Sequence, residues 1–140
     1  MNKMNKSKLF TRLAQFDLGI HILDFAGKGL VGLVNPVAKL ESIGLMATSP
    51  EGITAFRAIY GGLMITLGCV FALALFKPGM MRFGLMTIVA VMLSIILTRS
   101  LGMVLDDTSN LRFIITNLVE LFSAGFALFL LYKAPAESLR

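Results

Sequence analysis

The stretch ITAFRAIYGGLMITLGCVFALALF, residues 53–76, decides the fold because it carries a single charged side chain, Arg57. As an α-helix rising 1.5 Å per residue it is about 36 Å long, enough to cross the roughly 30 Å hydrocarbon core of a bilayer. Two further apolar runs follow, at 83–105 and 113–132. The sequence therefore predicts a membrane protein with at least three spanning helices.

The composition of the whole chain agrees with this prediction. Of 140 residues, 56% are hydrophobic and 15% are charged, whereas soluble domains carry about 25% charged residues. The net charge of +5 comes from Lys and Arg in the amino-terminal segment and the short connections. These residues form no basic face with interleaved aromatic residues, so we expect no nucleic-acid binding.

Polar and helix-breaking residues mark the ends of the apolar runs. Pro in a first turn and Gly or Pro after a last turn are typical helix boundaries. The boundary segments are Ser49-Pro50-Glu51, Lys77-Pro78-Gly79, the polar turn Asp106-Asp107-Thr108-Ser109-Asn110, and Ala134-Pro135. They predict helices at about 50–76, 80–105 and 111–133.

A fourth helix is predicted at about 13–34, closed by Asn35-Pro36, although ionisable residues and glycines interrupt it. If this helix spans the membrane, residues 37–48 form an extracytoplasmic connection. That connection could hold a short interfacial helix with Val37, Leu40 and Ile43 facing lipid. If the helix does not span, the two termini lie on opposite sides.

Charge bias favours four spans. Basic residues concentrate in 1–12, in the 77–82 connection and after residue 132, whereas Asp106 and Asp107 lie at the other end of the helices. We therefore predict an all-α integral membrane protein, an antiparallel four-helix bundle with both termini in the cytoplasm. Residues 1–12 would be a basic cytoplasmic tail, 13–133 the transmembrane domain and 134–140 a cytoplasmic C-terminal tail.

The first helix has a polar stripe. At 100° per residue, its polar side chains fall within about 60° of one another; they are Asp17, His21, Asp24, Lys28 and Asn35. Intramembrane charges are costly, so this stripe should face the bundle interior, a watery cavity or another subunit. The opposite face, which could meet lipid, carries Ile22, Ala26, Leu30 and Leu33.

A second group of polar residues lies in one layer of the predicted bundle. Counted along each helix, Arg57, Arg99, Glu120 and Lys28 lie about 6, 9, 10 and 10 Å from the extracytoplasmic ends. Asn117 shares a face with Glu120, and Asp106 lies at the rim. Either ion pairs lock the helices, with Glu120 facing Arg57 or Arg99, or the surplus positive charge binds an anionic head group or a carboxylate ligand.

Small residues indicate close helix packing. Arg57, Gly61, Gly68 and Ala72 share one face of the second helix, and Glu120, Ala124 and Ala127 share one face of the fourth.

Several chemistries lack the residues they need. His21 is the only histidine, so a haem would have no second axial histidine, and Cys69 is the only cysteine, so no thiol pair exists. No nucleophile and base can be paired by spacing. We expect no catalytic residues, no metal site, no cofactor and no enzymatic activity.

Asn35-Pro36, the element Arg57-Ala58-Ile59-Tyr60-Gly61-Gly62, then Arg99, Asp106 and Glu120 resemble a family of small bacterial four-helix membrane proteins. That family is classed only as a domain of unknown function. The resemblance covers about Leu18 to Lys133, and its most specific part is the Arg-Ala-x-Tyr-Gly-Gly element. It implies a multi-pass protein of the bacterial inner membrane and implies no activity.

Two functions remain open at this point. The first, which we favour, is an accessory or interaction subunit whose polar stripe docks on another membrane subunit or on a second copy. The second is a small transporter or a lipid-binding or anionic-ligand-binding protein, in which Lys28, Arg57, Arg99 and Glu120 line a site and Asp24 or Glu120 handles protons. The expected partners are membrane lipids and a homo-oligomer or a larger membrane complex.

Overall fold

The computed structural model describes residues 3–108, 110–134 and 139, and within them the fold is all-α, 87% helical and without strands. Five helices follow one another along the chain. They are α1 (Lys3–Val34), α2 (Pro36–Ser42), α3 (Pro50–Phe76), α4 (Met81–Leu105) and α5 (Leu111–Lys133). In the described part of the chain, α3, α4 and α5 are long and apolar enough to cross a membrane.

The ends of α3, α4 and α5 form where the sequence predicts them. The Ser49 hydroxyl accepts a hydrogen bond from the Gly52 backbone N–H at 3.1 Å and caps α3, and Pro50 occupies the first turn. Gly79 has a φ of +83°, a backbone conformation that favours glycine, in the reversal before α4. Asn110 caps α5 by accepting from the Arg112 N–H at 2.9 Å. The last helix ends at Lys133, and of the predicted tail only Ala134 and Leu139 are described.

The first helix is longer than predicted. It begins at Lys3 rather than at about residue 13, because residues 3–12 contain neither Gly nor Pro to prevent helix formation. The segment predicted as a tail therefore forms the first turns of α1, and its Phe10 ring lies 6.2 Å from the Phe129 ring.

Two predictions around the end of α1 are wrong. Asn35 does not continue the helix-one stripe, because α1 ends at Val34 and the Asn35 side chain accepts from the Ala38 N–H at 3.3 Å as the cap of α2. The predicted short helix is present as α2, but its Leu40 is buried rather than turned to lipid. Pro36 and Leu40 are one helical turn apart and share the buried face.

The chain divides into two compact units, each described by itself. The α1–α3 unit is Leu18–Phe76, and the α4–α5 unit is Met1–Asp17 together with Lys77–Arg140.

In the α1–α3 unit, the helices α1 and α3 run antiparallel and touch through glycines. A Cβ added to Gly68 would lie 2.9 Å from the Cβ of Ala26, and one added to Gly29 would lie 2.7 Å from the backbone nitrogen of Ile65. A Cβ on Gly61 would lie 3.1 Å from the backbone nitrogen of Leu33. The predicted packing role of Gly61 and Gly68 is thus confirmed.

The same contacts correct the predicted lipid face of the first helix. Ala26 and Leu33 pack against α3, because the glycines of α3 let the two backbones approach. Beside them, Phe71 is fully buried, with its ring 5.4 Å from that of Phe25 and 5.7 Å from that of His21.

In the α4–α5 unit, buried apolar side chains line both helices. Leu85 and Ile88 of α4 are fully buried, as is Ala127 of α5, and Ala124 is nearly so. Ala124 and Ala127, which the sequence predicts to pack closely against another helix, are thus buried in the structure.

Candidate functional site

A polar network joins α4 to α5. The Arg99 guanidinium donates to both carboxylate oxygens of Glu120, at 2.6 and 3.0 Å, and to the Asn117 side-chain oxygen at 2.7 Å. The Asn117 amide nitrogen in turn donates to the Ser100 hydroxyl at 3.1 Å. The Arg99 and Glu120 side chains are only 23% and 16% exposed.

The antiparallel pairing of α4 and α5 explains why these residues meet. Asn117 and Glu120 are three residues apart and lie on one face of α5, opposite Arg99 and Ser100. A bidentate pair of this kind is strong and directional. Arg99 is therefore neutralised within its own unit, and of the two cations that Glu120 could face, Arg99 is the one that it pairs with.

An open groove of about 400 Å³ lies beside this network between the two helices. Its polar lining comes from Ser100 and Asn117, and the rest is apolar: Ile96, Met103, Val104, Ile114, Leu118 and Leu121. The volume lies in the range of small-molecule sites, about 300–1,000 Å³. The lining suits hydrocarbon carrying one hydrogen-bonding group.

Asp106, predicted at the rim of the polar layer, is exposed and ends α4. Its backbone N–H bonds the Gly102 carbonyl at 2.9 Å. Arg99 forms its ion pair with Glu120 rather than with Asp106.

In the α1–α3 unit, residues Arg57–Gly62 form a π-helical segment inside α3. This segment is the Arg-Ala-Ile-Tyr-Gly-Gly element of the sequence, and π-helical turns occur frequently at functional sites. The Arg57 side chain donates through Nε to the carbonyl oxygen of Leu33 at 3.2 Å. Arg57 thus binds the last turn of α1, where carbonyl groups lack helical partners.

Tyr60 is the centre of the same segment. Its ring stacks on that of Phe56 with 4.9 Å between centroids, and the Lys39 ammonium lies 5.4 Å from the Tyr60 centroid. Lys39 was missed by the sequence reasoning. Its position in the connection between α1 and the Arg57–Gly62 element was the sequence feature that could have indicated the contact.

The polar stripe of α1 divides into two parts. Asp17 and His21 are buried, with 5% and 6% of their surface exposed. Asp24 and Lys28 form an ion pair at 2.6 Å, and their side chains are 42% and 48% exposed. Gly29 lies on the face of α1 that packs against α3, so the pair flanks that contact.

These pairings change the charge balance predicted for the layer of four. Lys28 and Arg99 each have a carboxylate partner, whereas Arg57 forms no ion pair with a carboxylate in the described ranges. Lys28 and Arg57 belong to one unit and Arg99 and Glu120 to the other. A layer joining all four stays a prediction.

Neither unit shows metal-binding geometry among the residues that the structure describes, since no three His, Cys, Asp or Glu side chains come together. Apolar helices of membrane-spanning length and polar pairs between helices define the class: a helical protein compatible with a membrane. The chain matches a domain of unknown function (DUF4345) over residues 13–131, and it belongs to that family. No curated protein and no solved structure matches it. The predicted membership of an uncharacterised family is confirmed.

Proposed function

We propose that α1 is a fourth membrane span, that the four long helices are antiparallel, and that both termini lie in the cytoplasm of a bacterium. The contacts Ala26 to Gly68 and Gly29 to Ile65 support a fourth span, because they hold α1 beside a helix apolar enough to cross the membrane. The contact of Phe10 with Phe129, four residues before the end of α5, supports termini on one side.

Single cysteines test this topology. In a Cys69→Ala background, a membrane-impermeant thiol reagent applied to intact cells should label cysteines placed at Glu41 and Asp107 and spare one placed at Arg82. Labelling of Arg82→Cys together with Asp107→Cys would overturn the arrangement.

We further propose that the protein is an accessory subunit that docks through α1 on a helix of another membrane subunit or of a second copy. The observation that carries this proposal is the half-exposed ion pair of Asp24 and Lys28. Its position follows from the neighbouring contacts: Ala26, between the two charges, lies against Gly68, well inside the apolar α3. Charges at membrane depth are expected to face protein or water rather than lipid.

The surface around the ion pair has the composition of a helix contact. Gly27 has open space where a Cβ would stand, and Leu23 and Leu30 are 77% and 54% exposed. Small residues let a second helix approach, and polar pairs add directional contacts between helices. In a two-fold symmetric dimer, Asp24 of each copy could face Lys28 of the other.

The test is native mass spectrometry after extraction in a mild detergent. The wild-type chain should appear as a dimer or with a second subunit, and Asp24→Lys/Lys28→Asp should appear alone, because the swap keeps net charge but reverses the pattern offered to the partner. Glu41→Gln, an exposed position outside the long helices, is the matched control and should keep the complex. A monomeric wild type, or a swapped variant that keeps its partner, would contradict the proposal.

A second candidate function, lipid binding, is supported by the α4–α5 groove. Its apolar lining with Ser100 and Asn117 suits an acyl chain whose ester carbonyl accepts a hydrogen bond. Leu118→Trp should fill the groove and remove copurifying lipid, whereas Val119→Trp, on the exposed surface outside the groove lining, should not. Equal lipid in both variants would remove this candidate.

A further inference from the structure

The α1–α3 unit contains two cations without carboxylate partners. Arg57 and Lys39 form no ion pair with any carboxylate of the described residues, although Glu41 and Glu51 are close in sequence. Lys28, in the same unit, is neutralised by Asp24. The unit also carries three carboxylates, Asp24, Glu41 and Glu51, so it has no net charge. Its two cations without an ion pair nevertheless both lie near the end of α1, Arg57 through its bond to Leu33 and Lys39 through its contact with Tyr60.

We propose that Arg57 and Lys39 form a binding site for a phosphate group. The contacts of Tyr60 show that the two cations lie near the same part of α1. Lys39 lies over its ring at 5.4 Å, a cation–π distance, and the ring edge lies 2.8 Å from the place where a Cβ of Gly32 would stand. Arg57 binds the carbonyl of Leu33, the next residue along α1. Both cations are thus brought to the last turn of α1.

The hydrogen bond from Arg57 to Leu33 leaves the terminal guanidinium nitrogens available to bind an anion. Only Nε is used on the Leu33 carbonyl, so the two terminal nitrogens can donate to two oxygens of one phosphate, the arrangement for which arginine is best suited. The bond through Nε also orients the guanidinium before a ligand arrives. Lys39 adds a second, unneutralised charge, because a cation–π contact leaves the ammonium donors available.

The depth of Arg57 limits which molecules can bring a phosphate group to it. Arg57 lies seven residues from Pro50, about 10 Å along α3 from the helix end, and it is exposed. This depth is within reach of a lipid head group at the membrane surface and of a soluble phosphate compound. The shared chemistry is the phosphate group, and the experiment separates the two sources.

The experiment uses the purified full chain in a neutral detergent. Phosphatidylglycerol, phosphatidylcholine or inorganic phosphate is added, and the bound molecules are counted by native mass spectrometry. Phosphatidylglycerol should bind in preference to phosphatidylcholine, and Arg57→Gln should weaken binding about tenfold, as expected for loss of a charge-assisted contact. Arg57→Lys should restore only part of the affinity because lysine cannot bind bidentately.

Lys39→Gln keeps the Arg57 bond to α1 and should also weaken binding, so the proposal does not depend on the folding of a single variant. Lys77→Gln, an exposed cation in the α3–α4 connection, is the control and should bind as the wild type does. Competition by inorganic phosphate would indicate a site for soluble phosphates, and binding of the lipid without competition a head-group site. Binding that is unchanged in Arg57→Gln and Lys39→Gln, or lost equally in Lys77→Gln, would overturn the proposal.

Discussion

The two units hold their helices together by different means. In the α4–α5 unit, the helices are joined by hydrogen bonds between side chains: Arg99 binds Glu120 and Asn117, and Asn117 binds Ser100. In the α1–α3 unit, the helices meet backbone to backbone through Gly29, Gly61 and Gly68, and the one arginine at their contact binds a carbonyl oxygen.

This difference bears on where function can lie. A bidentate, partly buried pair is satisfied within its own unit, and it stabilises a helix contact without offering charge to a ligand. Helix contacts through glycine do not use charged side chains, so the charged side chains of the α1–α3 unit are available to contact a partner or a ligand. The docking proposal accordingly rests on Asp24 and Lys28. The phosphate-site proposal rests on Arg57 and Lys39.

The largest expected effect comes from breaking the pair in the α4–α5 unit. Glu120→Gln should lower the free energy of unfolding by about 3 kcal/mol, because it leaves Arg99 largely buried without a counter-charge. Unfolding by SDS in mild detergent micelles, followed by far-UV circular dichroism, measures the change.

A double-mutant cycle supplies the control for this pair. Arg99→Met/Glu120→Gln removes both charges and should recover part of the lost stability, because no unpaired charge remains. Equal destabilisation by the double variant and by the two single changes added together would show that the two side chains do not interact.

Much of the fold could be predicted from the sequence, and the reasons differ between elements. The ends of α3, α4 and α5 were predictable because capping residues, glycine and proline act locally. The start of α1 was not, since a polar amino-terminal segment carries no breaker and its Phe10 is held by a distant residue, Phe129.

The candidate sites were predicted in part. The predicted layer of charges placed Glu120 opposite Arg57 or Arg99. The choice between the two depends on which helices are neighbours, and the periodicity of hydrophobic residues does not show this. The predicted lipid face of α1 was wrong in part for the same reason, because Ala26 and the backbone of Leu33 pack against glycines of α3, whereas Leu30 is exposed. The contact between Lys39 and Tyr60 requires the path of α2, which the sequence left open.

The glycine contacts predict the next largest effect. Gly29→Ala should destabilise the protein by about 2 kcal/mol, because the new Cβ would meet the backbone nitrogen of Ile65, which cannot move independently of α3. Gly62→Ala is the matched control, since nothing lies within 4 Å of its Cβ position. That control should be neutral or slightly stabilising. SDS unfolding of both variants measures the difference, and equal stability would contradict the close contact.

The arginine of the α1–α3 unit should contribute less than that of the α4–α5 unit. Arg57→Ala removes one hydrogen bond to the Leu33 carbonyl and should cost about 1 kcal/mol, the typical net value of such a bond. Hydrogen exchange should increase chiefly at the last turn of α1, which loses its partner. A cost as large as that of Glu120→Gln would remove the distinction between the two units.

The smallest expected effect concerns the ion pair on α1. Asp24 and Lys28 are four residues apart with the acid nearer the helix N-terminus, the favourable orientation, but both are about half exposed. Such pairs contribute about 0.3–0.5 kcal/mol, so a cycle of Asp24→Asn and Lys28→Gln in the detergent-extracted monomer should give a coupling energy of that size. Because so little stability depends on the pair within one chain, loss of a complex in the charge-swapped variant can be attributed to the partner surface. A coupling energy comparable to that of Arg99 with Glu120 would instead make the pair a structural contact of α1 and remove the basis for docking there.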